Sequence, residues 1–190
     1  MNEQLLDYVR RYVSISEVEF QIFESYLKPV QVQKKGFLLR AGNYCRSRYF
    51  ITKGCVRLFY IDNKGNEQII HFGIDQWWIS DYESLINNKP STLFIQALEP
   101  TEILELPQKG FEELCEKVPQ TERLFRKIME RTFVATQKRI EFIYSLNGEE
   151  QLQLFMNSNP KFTQRVPQYM IASYLGMSPE FVSKIKAKKR

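Results

Sequence analysis

Side chains able to do covalent or metal chemistry are sparse in this 190-residue chain. His71 is the single histidine, so any site that needs two imidazoles is excluded. It reads as a strand residue satisfied locally. Cys45, Cys55 and Cys115 are odd in number and lack CxxC spacing, which disfavours a disulfide framework or a cysteine zinc site. A redox or iron–sulfur sensor would need them clustered; scattered, they read as small core residues. With no nucleophile–base pair and no metal set, neither an enzyme nor a cofactor is expected.

Polar chemistry concentrates at the C-terminal end instead. Residues 161–190 hold Lys161, Arg165, Lys184, Lys186, Lys188, Lys189 and Arg190 against one acid, Glu180, a net +6. The other 160 residues hold 20 basic and 21 acidic side chains, a net −1, so the +5 of the whole chain resides in this end. Such a distribution fits a module that binds a polyanion.

The same stretch has a structural pattern. Pro167 can open a helix whose apolar face is Met170, Ile171 and Leu175. Gly176 permits a left-handed turn, and Ser178 caps a second helix with Pro179 at its first position. Phe181, Val182 and Ile185 form the expected buried face of that helix. Ala172, five residues before Met177, is small enough for the two helices to approach closely. Helix, short glycine turn, helix is a helix-turn-helix. Its second helix would enter the major groove of DNA. Ser178, Pro179, Glu180, Ser183 and Lys184 fall away from the apolar face. Glu180 could accept from cytosine N4, and Lys184 could reach guanine or phosphate. Lys186, Lys188, Lys189 and Arg190 are expected on phosphates, with Gln168 at the start of the first helix completing the DNA-contacting set.

The rest of the chain must position this motif. Residues 2–27 read as helix in two pieces, the second opened by Ser14 or by a Ser16–Glu19 capping box. From 30 to 106 the period shortens. VQVQKK, Phe37–Arg40, Arg48–Lys53, Cys55–Ile61, Glu67–Phe72, Leu93–Leu98 and Glu102–Leu106 read as short strands between glycine and Asn/Asp turns, a small sandwich or jelly-roll barrel. Lys109–Lys117 is a short helix. A long helix then runs from about 121 to 146, about 39 Å at about 1.5 Å per residue. Its stripe includes Phe125, Ile128, Met129, Phe133 and Ile140, and a second copy of the chain is the simplest cover for it. Glu149–Asn157 forms a further helix ending before Asn159-Pro160. The fold class is therefore α+β: N-terminal helices and a β jelly-roll barrel, a long dimerisation helix, and a C-terminal helix-turn-helix domain.

This order resembles the Crp/Fnr superfamily of bacterial transcription regulators, most of all its short members common in the Bacteroidetes. The matching residues are Lys35-Gly36, Ala41-Gly42-Asn43, the run Tyr49–Arg57 around Lys53-Gly54, and above all Ile171–Ile185. The resemblance implies a cyclic-nucleotide-binding-like sensor domain at 1–118, a dimerisation helix at 119–147 and a helix-turn-helix DNA-binding domain at 148–190. A β-wing usually follows the recognition helix in longer members; here none, or an abbreviated one, is expected.

Members that bind cyclic nucleotides use a Gly-Glu pair for the ribose and an Arg-Ser/Thr pair for the phosphate. Aligned through Ile95-Gln96-Ala97, the corresponding positions are Ser80-Asp81 and Ser91-Thr92. Asp81 is a shortened acid, and Ser91 removes the phosphate cation. A buried phosphate without a partner costs several kcal/mol, so cyclic AMP is not the expected ligand. Arg46, Arg48 or Lys89 could substitute in principle. Trp77-Trp78 enters the same degenerate pocket; adjacent strand residues face opposite sides, so one is expected in the barrel and the other on the surface or against the long helix.

The chain is thus expected to be a sequence-specific, homodimeric transcriptional regulator that does not respond to cyclic AMP. Double-stranded DNA and RNA polymerase are its expected partners, with an unknown small-molecule effector or none. The alternative is a ligand-sensing or scaffold protein of the same fold whose terminal helices bind protein. No apolar run approaches the about 18 residues of a membrane span, and the acidic, amphipathic N-terminus is no signal peptide, so the expected location is cytoplasmic.

Overall fold

The computed structural model describes residues 2–158 and 160–187, with the side chains of all of these except Lys161 and Lys186. Two helices come first, α1 (Glu3–Arg10) and α2 (Glu17–Ser25). The strands are β1 (Lys28–Val32), β2 (Phe37–Leu39), β3 (Ser47–Lys53), β4 (Cys55–Ile61), β5 (Glu67–Ile74), β6 (Trp78–Ile79), then, after helix α3 (Tyr82–Asn87), β7 (Phe94–Ala97) and β8 (Thr101–Pro107). The remaining helices are α4 (Phe111–Lys117), α5 (Gln120–Ser145), α6 (Gly148–Ser158), α7 (Pro160–Arg165), α8 (Gln168–Tyr174) and α9 (Pro179–Ala187). The chain divides into two compact units, Met1–Leu58 with Phe72–Arg131, and Phe59–His71 with Thr132–Arg190. The division cuts α5 near its middle and assigns the outer half of the β4–β5 hairpin to the second unit, where the linear reading of domains has it in the first.

The strands form two four-stranded sheets, ordered β1-β8-β3-β6 and β2-β7-β4-β5, the jelly-roll arrangement expected from the strand pattern. Alternation along β3 sorts its side chains. Ile51 lies at Gly73, where a Cβ would come within 2.6 Å of its Cδ1 and 3.1 Å of Val56 Cγ2, so a larger residue there would push these side chains aside. Phe50 joins the core shared with the helices, together with Leu5, Val9, Phe20, Phe23, Leu106, Leu124, Phe125 and Ile128. Full burial of each such side chain contributes about 1.5–3 kcal/mol. Ser16 and Glu19 form the expected capping box, fixing where α2 starts.

Several expectations need correction. Trp78 does not fill the barrel. It pairs with Phe50 across β3 and β6 and packs on Phe50 and edge-on to Phe125, with ring centroids 5.2 and 4.9 Å away. Trp77 is 43% exposed. Phe125 and Ile128 are buried in this same core, and Met129 packs against it, so these three do not lie on an open face of the long helix. Their stripe is consumed by the chain's own N-terminal helices and sheet. The short elements β6, α3 and α7 are absent from the sequence reading. Pro160 starts α7 at its first position rather than only ending the helix before it.

In the second unit the β4–β5 turn is tied by Asp62, whose Oδ1 accepts the N–H groups of Lys64 and Asn66, each at 2.9 Å. Bonds to its charged form, first from the Asn66 N–H, then from the Gln68 side chain and the Lys64 N–H, lower the carboxyl pKa to about 2. The core of the helical part comprises Leu152, Phe162, Val166, Met170, Ile171, Val182 and Ile185, all buried. Among the described residues, no helix is long and apolar enough to cross a membrane.

Candidate nucleic-acid interface

Helices α8 and α9 build the helix-turn-helix. Pro167 stands just before α8, and Met170, Ile171 and Ala172 give that helix its buried face. Gly176 adopts the left-handed conformation the turn requires, with φ of 68°. The Met177 N–H then closes the turn on the Ala172 carbonyl at 2.9 Å. Ala172 is fully buried, as a small residue at the helix crossing should be. The Ser178 hydroxyl accepts from the Phe181 N–H at 3.2 Å and so caps α9.

Val182 and Ile185 turn inward, while Ser178, Pro179, Glu180, Ser183 and Lys184 are all exposed. Glu180, Ser183 and Lys184 stand three and four residues apart, one face of a helix. Gln168 is half-buried at the first turn of α8. Phe181 departs from its expected place in the buried face. It is 44% exposed, but its ring edge presses on Gly148, where a Cβ would come within 2.6 Å of Cε1. A side chain at Gly148, the first residue of α6, would displace this ring. The side chain of Lys186, and all of Lys188, Lys189 and Arg190, lie outside the described residues.

The first unit holds the residues aligned with the nucleotide pocket. Ser80 donates to the Ser47 carbonyl at 2.9 Å. Asp81 caps α3, accepting from the N–H groups of Glu83 and Ser84 at 3.1 and 3.3 Å. Its other oxygen accepts from the Ser91 hydroxyl at 2.6 Å. Ser80, Asp81 and Ser91 are buried, whereas Thr92 is exposed. The possible substitute cations are engaged elsewhere. Lys89 pairs with Glu83, and the Arg46 guanidinium lies 5.6 Å from the Tyr44 ring centroid. Arg48 donates to Gln108 at 2.6 Å and lies 3.8 Å over the Phe111 ring; burial lowers its pKa. Ser80, Asp81 and Ser91 thus bond within the buried framework. Cys45 and Cys55 are buried and Cys115 is half-buried, and the described residues contain no group of three or more His, Cys, Asp or Glu able to hold a metal.

Two functional candidates escaped the sequence reading, Ser173 and Arg139. Arg139 sits on α5 and donates to the carbonyls of Ile70 and Tyr174, both at 2.6 Å. Partners 69 and 35 residues away leave no local signal.

Residues 29–118 match the cyclic nucleotide-binding domain family. The fumarate and nitrate reduction regulatory protein of Vibrio cholerae is 28% identical over 165 residues, covering 81% of this chain and 65% of its own length. The transcriptional activator protein anr of Pseudomonas aeruginosa is 26% identical over 185 residues, covering 91% of this chain and 75% of its own. The structure of FixK2 from Bradyrhizobium japonicum superposes with a TM-score of 0.73 over 85% of this chain and 83% of that one, at 15% identity, and so shares the fold. A cyclic-nucleotide-binding jelly roll followed by a helix-turn-helix defines the class. Over most of its length the chain is similar to regulators of the Crp/Fnr type. It spans just under two thirds of the length of the Vibrio relative.

Proposed function

We propose that this chain is a sequence-specific DNA-binding transcriptional regulator that acts as a homodimer. The observation that carries this is the presentation of α9: Val182 and Ile185 are buried while Ser178, Pro179, Glu180, Ser183 and Lys184 are exposed, at the end of the chain that holds the +6 charge. The relatives named above are regulators, which supports the same role here. Its chemistry is binding, with RNA polymerase as the downstream partner at a promoter.

Dimerisation is supported by the outer half of α5. Phe133 and Ile140 are 63% and 50% exposed, and Tyr144 is 86% exposed, an apolar surface that a single chain leaves in water. A second copy covers it most simply, with the two long helices side by side. The barrel would sense something other than cyclic AMP, or nothing, because Ser91 and Asp81 satisfy each other.

The test is selection of bound sequences from random duplex DNA, followed by titration at several salt concentrations. An enriched inverted repeat, bound with a steep negative dependence on salt, is the expected result. No enrichment, together with salt-insensitive capture of a protein partner, would instead favour terminal helices that bind protein.

A further inference from the structure

Strand β5 lies at the edge of its sheet, so one side of its backbone has no strand to pair with. Within the second unit that need is met by the helix-turn-helix. The Ser173 hydroxyl, on α8, accepts from the Ile69 N–H at 3.0 Å and donates to the Glu67 carbonyl at 2.9 Å. A single side chain thus supplies the donor and acceptor that a neighbouring strand would supply. Arg139 adds a second tie. It donates to Ile70 of β5 and to Tyr174 of α8, and its guanidinium stacks 3.9 Å over the Tyr174 ring. One arginine therefore holds the long helix, the hairpin and the first helix of the DNA-reading pair together.

We infer that Ser173 and Arg139 are positioning residues for DNA binding, which set the placement of α9 relative to the dimer-forming half of α5. The inference rests on the DNA-binding, dimeric function proposed above. Three observations lead to it. First, α8 and α9 move as one body, because the Met177 N–H is bonded to Ala172 and both Ala172 and Val182 are fully buried. Fixing α8 therefore fixes α9. Second, Arg139 is one residue from Ile140 on α5, so the tie begins beside the exposed apolar surface. In a two-fold dimer, the offset from that surface to α9 sets the separation of the two reading helices, which must match successive major grooves about 34 Å apart. Third, the clasp leaves Ser178, Glu180, Ser183 and Lys184 exposed, so it orients the reading face without masking it.

The test uses the full chain and its selected inverted repeat, beside the same duplex with one base pair inserted at its centre. The unaltered protein should bind the inserted duplex at least about tenfold more weakly, since added length and rotation misplace the second half-site. Ser173→Ala and Arg139→Gln should each weaken binding to the correct duplex by about three- to tenfold, the size of a hydrogen bond or two. They should also narrow the ratio between the two duplexes. The slope of affinity against salt should stay unchanged, because no phosphate contact is removed. Ser173→Thr keeps the hydroxyl and should restore both affinity and ratio. Amide exchange reports on the clasp directly: Ile69 should exchange faster in Ser173→Ala. Faster Ile69 exchange with affinity and spacing ratio intact would overturn the inference, as would unchanged Ile69 exchange. If the unaltered protein binds no selected duplex, the proposed function itself fails, an outcome visible before any variant is made.

Discussion

The Ser91 hydroxyl donates to the Asp81 carboxylate at 2.6 Å, and both residues are buried. The resemblance to nucleotide-binding members of the superfamily aligns these two positions with those expected to meet the cyclic phosphate and the ribose. Here they bond each other across ten residues of chain, and Asp81 also caps α3. A ligand that used either group would first have to break a charge-assisted hydrogen bond, one of the stronger kinds.

Cyclic AMP should therefore fail to bind. Calorimetry at about 100 μM protein is expected to show no saturable heat. A dissociation constant below about 10 μM, near −7 kcal/mol, would show that another cation neutralises the phosphate. Ser91→Ala should destabilise the protein by about 1–3 kcal/mol, read from urea unfolding, because the buried carboxylate loses a donor.

Dimer formation should depend on the exposed half of α5 and not on its buried half. Phe133→Asp with Ile140→Asp is expected to give folded monomers in sedimentation equilibrium. Ile128→Asp should instead reduce the yield of folded protein, since Ile128 is buried among Val9, Leu124 and their neighbours and a buried charge without a partner is strongly unfavourable. A stable dimer of the Phe133/Ile140 double variant would place the interface elsewhere.

Base reading by α9 and phosphate anchoring by the lysines that follow it in sequence should separate. Glu180→Ala is expected to relax preference at one position in each half-site, by about 1–3 kcal/mol. Lys188→Ala with Lys189→Ala should weaken all duplexes alike and flatten the salt slope. If Glu180→Ala left the selected motif unchanged while the lysine pair altered it, α9 would lie in the groove in another orientation.

His71 should make the protein acid-sensitive. Burial, followed by the nearby Arg139 guanidinium, lowers its pKa from 6.5 to about 4. The unfolded chain then takes up a proton at a pH where the folded chain does not. Stability is retained above about pH 6.5 and falls as the pH drops from there toward 4. Allowing for solvent at the partly exposed ring, the loss should be about 2 kcal/mol. Urea titrations at pH 7 and pH 5 should show it, and His71→Gln should remove most of the difference. Equal loss in the variant would assign the effect to other groups.

Much of this protein was legible from local rules. The Ser16–Glu19 capping box, the glycine turn at Gly176 and the buried pair Val182 and Ile185 follow from periodicity and backbone preference, which operate over a few residues. So do the jelly-roll strands and the long helix. Tertiary structure alone decided how shared surfaces are divided. The stripe on α5 is continuous in sequence, yet Phe125 and Ile128 are buried by the chain's own N-terminal helices and sheet while Phe133 and Ile140 stay in water. Helical spacing determines which residues share a face, but not what covers it. Trp77 falls just outside β6 and is exposed, whereas packing sent Trp78 against Phe125. The bonds of Ser173 to Ile69 and Glu67 span more than a hundred residues, so no local pattern could report them. They exist because an edge strand has unpaired backbone groups and the fold brings a hydroxyl to meet them.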